Sequence, residues 1–190
     1  MTSYIKKENL IAGLIVAFFT FFIALLVSLG SEGLVRVVNS VIVAIILLLI
    51  IIFLGIFFDI IGTAATAANL PPFNAKAAKK VFGAKQAVKI IRNNDLMANF
   101  CNDVIGDIAG TLSGAIGAGI IVSLSTSLAF VDLILGGAIM TSLIAALTVG
   151  GKAVGKSVAV NHANSIIFRV AVFMAWWESI TGIEVLKNRR

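Results

Sequence analysis

The chain is 190 residues long, 59 % apolar and 13 % charged, with a formal charge of +6 and a mean hydropathy of +1.07. Soluble domains run near about 45–50 % apolar and about 25 % charged. These proportions exclude a soluble globular domain, and the residues outside apolar runs are too few to expect a fused catalytic or nucleotide-sensing module.

Charges are missing from four stretches: between Glu8 and Glu32, between Arg36 and Asp59, between Asp107 and Asp132, and between Asp132 and Lys152. Each is about 20 residues long, which at about 1.5 Å of rise per residue covers roughly 30 Å of hydrocarbon. The predicted fold is therefore an all-α integral membrane protein with about four transmembrane helices, accompanied by amphipathic juxtamembrane helices. The first helix is expected at residues 10–29; Lys6 and Lys7 precede it as in a signal peptide, but the run is too long for an h-region and no small-residue cleavage site follows, so it is expected to be retained. The second runs over 37–61, after a polar turn with Ser31, Glu32 and Arg36.

Pro71 and Pro72 are expected to end the helix that follows Asp59, since proline lacks an amide hydrogen and disfavours helix in the residue before it. Lys85, Lys89 and Arg92 then fall at i, i+4 and i+7, with Ala84, Val88 and Ile91 on an opposite face, predicting an amphipathic helix on the inner leaflet. The third span is expected at 96–124 and the fourth at 132–149. Residues 158–180 are apolar but interrupted by Arg169 and Glu178, which predicts an interfacial helix with Trp176 and Trp177 at headgroup depth.

The basic stretch with Lys76, Lys79, Lys80, Lys85, Lys89 and Arg92 belongs in the cytoplasm by the positive-inside rule. Four spans then place both termini in the cytoplasm, the first with Lys6 and Lys7 and the second with Lys187, Arg189 and Arg190; the plasma membrane is the expected location. The basic stretch is expected to meet anionic inner-leaflet lipids. The membrane accounts for the high pI of about 9.8, so no nucleic-acid partner is expected.

Ionisable and amide side chains at membrane depth are costly and call for a reason. Asp59 has two readings: a carboxylate marking the interface, or, with Gly62, Thr63 and Thr66 after it, an oxygen donor turned into the bundle, of the kind hard cations prefer. Asp103 and Asp107 stand one turn apart, beside Asn99, Asn102 and Gly106; they either line a cation path or form a water-facing helix end. Gly106, Gly110 and Gly114 recur at every fourth residue, a spacing that lets helices pack closely. Cys101, the only cysteine, reads as a small buried apolar residue, and His162, the only histidine, as a surface residue with no zinc partners. No nucleophile and base constellation is present, so an enzyme is not expected. GGKAVGKS, at 150–157, matches the G-x-x-x-x-G-K-S phosphate-loop pattern, but it follows a predicted membrane helix rather than a buried strand.

Three stretches, in order, resemble the transmembrane domain of the CNNM/CorC (DUF21) family of magnesium-transport proteins. GKAVGKSVAVNHANSIIFRVA, at 151–171, is similar to the signature closing that family's last membrane helix, through Gly151, Lys156, Ser157 and Ala159. GIFFDIIGTAATAAN, at 55–69, is similar to its S-x-F-F-S-G-S-E-T-A-x-T pattern, through Phe57, Phe58, Thr63, Ala64 and Thr66. FCNDVIGDI, at 100–108, resembles I-G-N-N-x-x-N-I and retains Asn102. The resemblance implies an extra helix and loop at 1–36, a DUF21-like domain at 37–180 with a basic juxtamembrane segment at 73–95, and a basic tail at 181–190.

In that family Mg²⁺ is held within the membrane by hydroxyl and amide oxygens. Carried over, Asp59 and Gly55 stand where the family has serines, and Asn102 and Gly106 where it has asparagines; the implied metal residues are Asp59, Thr63, Asn102 and Asp103. Lys152 replaces a family glutamate, which implies either a tethered cation paired with Asp59, Asp103 or Asp107, or a site kept negative by Asp59. The expected function is divalent-cation transport, with Mg²⁺ as the transported ion, by a homodimer without the family's nucleotide-sensing CBS pair. The alternative is a non-transporting relative that scaffolds or regulates a partner.

Overall fold

The computed structural model describes residues 13–15, 17–26, 29, 40–128 and 132–186. All regular structure among these residues is helical. The helices are α1 (Gly13–Leu26), α2 (Val41–Ala67), α3 (Leu70–Ala78), α4 (Ala84–Arg92), α5 (Asn94–Ala98), a π-helical segment (Asn99–Ile105), α6 (Gly106–Ser127), α7 (Leu133–Asn161) and α8 (Ala163–Thr181). Three are long and apolar enough to cross a membrane: α2, the continuous helix Asn94–Ser127, and α7. The first of the four expected spans, at 10–29, corresponds to α1, whose described part is shorter than a crossing requires. Lys6 and Lys7, the turn with Glu32 and Arg36, and the tail with Lys187, Arg189 and Arg190 lie outside the described residues.

The long helices outrun their apolar stretches. The end of α2 falls at Ala67 rather than near residue 61, and α7 continues to Asn161 rather than 149, because alanine and other helix-tolerant residues carry the helix past the point where charge begins. Ala68 and Asn69 are extended, and the Asn69 amide donates to Asn164 Oδ1 at 2.9 Å. Pro71 and Pro72 do not end α2; they occupy the first turn of α3, where their missing amide hydrogens have no helical partner to lose.

α2 is the central helix, packed against both α6 and α7. Its Ala44, Leu48 and Ile52, one turn apart, meet Ile116 and Ile120 of α6 and Ile144 of α7. Close approach comes from glycine. A Cβ at Gly55 would lie 2.9 Å from the Ala109 Cβ, one at Gly155 would lie 2.8 Å from Ile60 Cγ1, and one at Gly151 would collide with Ile56. The expected glycine stripe of α6 contributes less: a Cβ at Gly110 or Gly114 would meet nothing within 4 Å among the described residues, whereas Gly117, outside that stripe, receives Ile144.

A second core sits where α2 and α7 end. Ala64 and Ala65 of α2, Phe73 of α3, Ala87 and Ile90 of α4, Ala159 of α7, and Ala163, Ile167 and Ala171 of α8 are buried together. The inward face of α4 is Ala84, Ala87 and Ile90; Val88 and Ile91, expected to share it with Ala84, lie at its margin. Phe73 stacks on Phe168, with Lys76 Nζ 3.9 Å from the Phe168 ring centre. Glu178 accepts from Gln86 Nε2 at 2.9 Å and from the Val185 amide at 3.1 Å, and Lys89 pairs with Glu184 at 3.4 Å. These contacts make α3, α4 and α8 a platform on the bundle.

The glycine contacts rank two substitutions. Gly55→Ala is expected to destabilise the protein by about 1–3 kcal/mol, because the Ala109 Cβ cannot swing aside. Gly110→Ala is expected to be neutral or to stabilise by up to about 1 kcal/mol, through helix propensity alone. Unfolding in detergent micelles checks the order, and equal effects would show that α2 and α6 are not in close contact at Gly55.

Candidate functional site

The inward stripe of α2 runs Gly55, Asp59, Gly62, all buried at i, i+4 and i+7. Asp59 is 4 % exposed, on a helix that is otherwise almost wholly apolar here. Lys152 of α7 reaches toward it: Nζ stands 3.7 Å from Asp59 Oδ1. That distance makes an ion pair but is too long for a hydrogen bond. The ammonium passes beside Gly106, where a Cβ would lie 3.4 Å from Nζ.

Asn102 comes to the same place by an unusual backbone. The π-helical turns at Asn99–Ile105 interrupt an otherwise continuous α-helix, and the Gly106 amide donates to the Cys101 carbonyl, five residues back. Such turns insert an extra residue and re-aim the side chains that follow, and they are frequent at functional sites. The Asn102 amide is seated against Gly62, where any Cβ would collide with its Oδ1. Thr148 stands one turn before Lys152 on α7.

Three side-chain oxygens are buried without a hydrogen-bond partner among the described residues: Asp59 Oδ2 and Asn102 Oδ1 at this site, and Thr148 Oγ1 one turn farther along α7. Buried polar atoms are nearly always partnered, and leaving one unpaired costs about 1–3 kcal/mol. By contrast Ser113, also buried, donates to the Ala109 carbonyl at 2.7 Å. The three are a carboxylate, an amide and a hydroxyl, the oxygen types that bind hard cations. Asp59 and Asn102 lie at one level of the bundle with Lys152, whereas Thr148 stands one turn farther from the end of α7. Asp59 is eight residues from the end of α2, Asn102 eight from the start of α5 and Lys152 nine from the end of α7, each roughly 12–14 Å along its helix.

The remaining sequence-predicted residues are placed otherwise. Asp103 is exposed, as are Asn99 and Asp107, so the acidic stripe turns away from Asp59. Thr63, one turn beyond Asp59, is half-buried, and its carbonyl accepts the Thr66 hydroxyl at 2.8 Å. Of the partners open to Lys152, the structure selects Asp59. Among the described residues no three His, Cys, Asp or Glu side chains converge. Cys101 is buried and His162 exposed, as their chemistry predicts. All of GGKAVGKS lies inside α7, so it forms no phosphate-cradling loop. Thr148 was not anticipated, although its i, i+4 relation to Lys152 is visible in the sequence.

The pair predicts a pattern of stability. Asp59→Asn or Lys152→Met alone leaves one charge without its partner and is expected to destabilise by up to about 3–5 kcal/mol, whereas the double substitution recovers most of that loss. A double-mutant cycle on unfolding in detergent checks this, and strictly additive effects would mean that the two groups do not interact. Compared with known proteins, the chain matches no family model, no curated protein and no solved structure, so its function is read from this site.

Proposed function

We propose that the chain is an integral membrane protein that binds a hard divalent cation between α2, the π-helical segment and α7 and carries it across the bilayer, with Mg²⁺ as the transported ion. The observation that carries this reading is the meeting of Asp59 and Asn102, whose buried Oδ2 and Oδ1 lack partners among the described residues, beside Lys152 in a bundle with apolar outer surfaces. A carboxylate buried within a membrane helix is costly, up to about 2.5–3.5 kcal/mol at the helix centre by insertion scales, which argues for a use. The resemblance of 55–69, 100–108 and 151–171 to the DUF21 domain supplies the ion and the expectation of a homodimer.

The exposed apolar side chains of α2 and α7, among them Ile42, Phe53, Ile134 and Leu143, suit contact with lipid tails. Placing the basic platform of α3 and α4 on the cytoplasmic side, against anionic inner-leaflet lipid, puts both termini in the cytoplasm if α1 completes a fourth span; the plasma membrane is the membrane proposed. The half-exposed Trp176 and Trp177 on α8 fit the headgroup region.

A second reading has its own observation. Lys152 already neutralises Asp59, so the site carries no net charge to attract a cation, as in a non-transporting relative that serves a partner protein. Uptake of Mg²⁺ into liposomes, with Co²⁺ and Mn²⁺ as competitors, separates the two. Transport by the wild type that falls at least tenfold in Asp59→Asn and Asn102→Ala is the expected result. Folded wild-type protein with no flux above empty liposomes would favour the second reading.

A further inference from the structure

The ion pair joins two unequal partners. The Asp59 side chain is 6 % exposed and held on a short stem, whereas the Lys152 side chain is 23 % exposed on a flexible four-carbon stem. At 3.7 Å the ammonium is attracted to Oδ1 without a hydrogen bond to fix it, and Gly106 beside it presents no side chain. Asp59 Oδ2 stays unpartnered among the described residues, as does Asn102 Oδ1. Lys152 thus neutralises the carboxylate without using up the oxygen atoms around it.

We propose that Lys152 is a tethered stand-in for the transported cation: it sits on Asp59 when no ion is bound, and an arriving divalent ion displaces it outward with its proton retained. The inference rests on the cation-site reading and specifies how that site is emptied and refilled. An alternating-access carrier must turn around both loaded and empty. A bare carboxylate in the bundle is costly to reorient, whereas the Asp59 and Lys152 pair is neutral. The ammonium therefore competes with the ion for Asp59 and at the same time lets the empty carrier return without a second ion.

Two consequences separate this role from a structural one. In Lys152→Met, Mn²⁺ used as the probe ion is expected to bind the purified protein at least tenfold more tightly than in the wild type. In liposomes the same variant is expected to lose net Mn²⁺ uptake at least tenfold while still exchanging internal for external Mn²⁺, since exchange never requires the empty carrier to turn. A measurement on the wild type removes any dependence on folding of the variant. Acylation of Lys152 by a water-soluble amine reagent, read by peptide mass spectrometry, is expected to rise at least threefold at saturating Mn²⁺.

Unchanged Lys152 acylation with saturating Mn²⁺ bound overturns the proposal, as does a Lys152→Met protein with wild-type affinity and wild-type net uptake. If neither protein binds or moves Mn²⁺, the cation-site reading itself fails and this inference falls with it.

Discussion

The interior of the bundle is governed by how closely its neighbours approach α2. Gly55 admits Ala109, Gly62 admits the Asn102 amide, and Gly151 and Gly155 of α7 admit Ile56 and Ile60. Larger residues at these points would separate the helices, and the contact between Lys152 and Asp59 across the gap would be lost. Small residues serve helix association well where lipid supplies no hydrophobic drive between helices. Here they also set the length of side chain needed to bridge two helices: a lysine spans from α7 to α2, and an asparagine from the π-helical segment.

The site is consequently a property of three backbones rather than of one motif. The stripe of α2 supplies the carboxylate and the space for the asparagine. The π-helical turns supply the asparagine, and α7 supplies the lysine. Low dielectric inside such a bundle strengthens the attraction between the charges and raises the cost of each unpaired oxygen. Asp59 Oδ2 and Asn102 Oδ1 are thus each costly as long as they stay unpaired.

How much of this is legible in the sequence depends on the physics behind each feature. Absence of charge marks α2, α6 and α7, because hydrocarbon excludes charge wherever it falls in the chain. It does not mark their ends: a charge gap reports only the apolar stretch, whereas α2 and α7 continue as helix beyond it. Asp59, Asn102 and Lys152 stand out because each is costly where it lies. Thr148 does not, since a hydroxyl in an apolar helix usually satisfies itself on its own backbone, as Ser142 and Thr141 do on carbonyls of the same helix. The π-helical turns have no sequence signature, and Asp103 shows the result: it neighbours Asn102 in the sequence and points outward. Spacing likewise places Gly110 and Gly114 on one stripe without saying that the stripe has no partner.

The core where α2 and α7 end has a mechanical consequence. Ala64 and Ala65 tie α2 into it, Ala159 ties in α7, and both are joined there to α4 and α8. Among its residues none belongs to α6. The continuous helix Asn94–Ser127 reaches that core only at its beginning, through Met97, and packs on α2 and α7 farther along through Ala109, Ile116 and Ile120. The platform core therefore fixes how α2 and α7 are spaced where they end, and with them the span that Lys152 must bridge to reach Asp59.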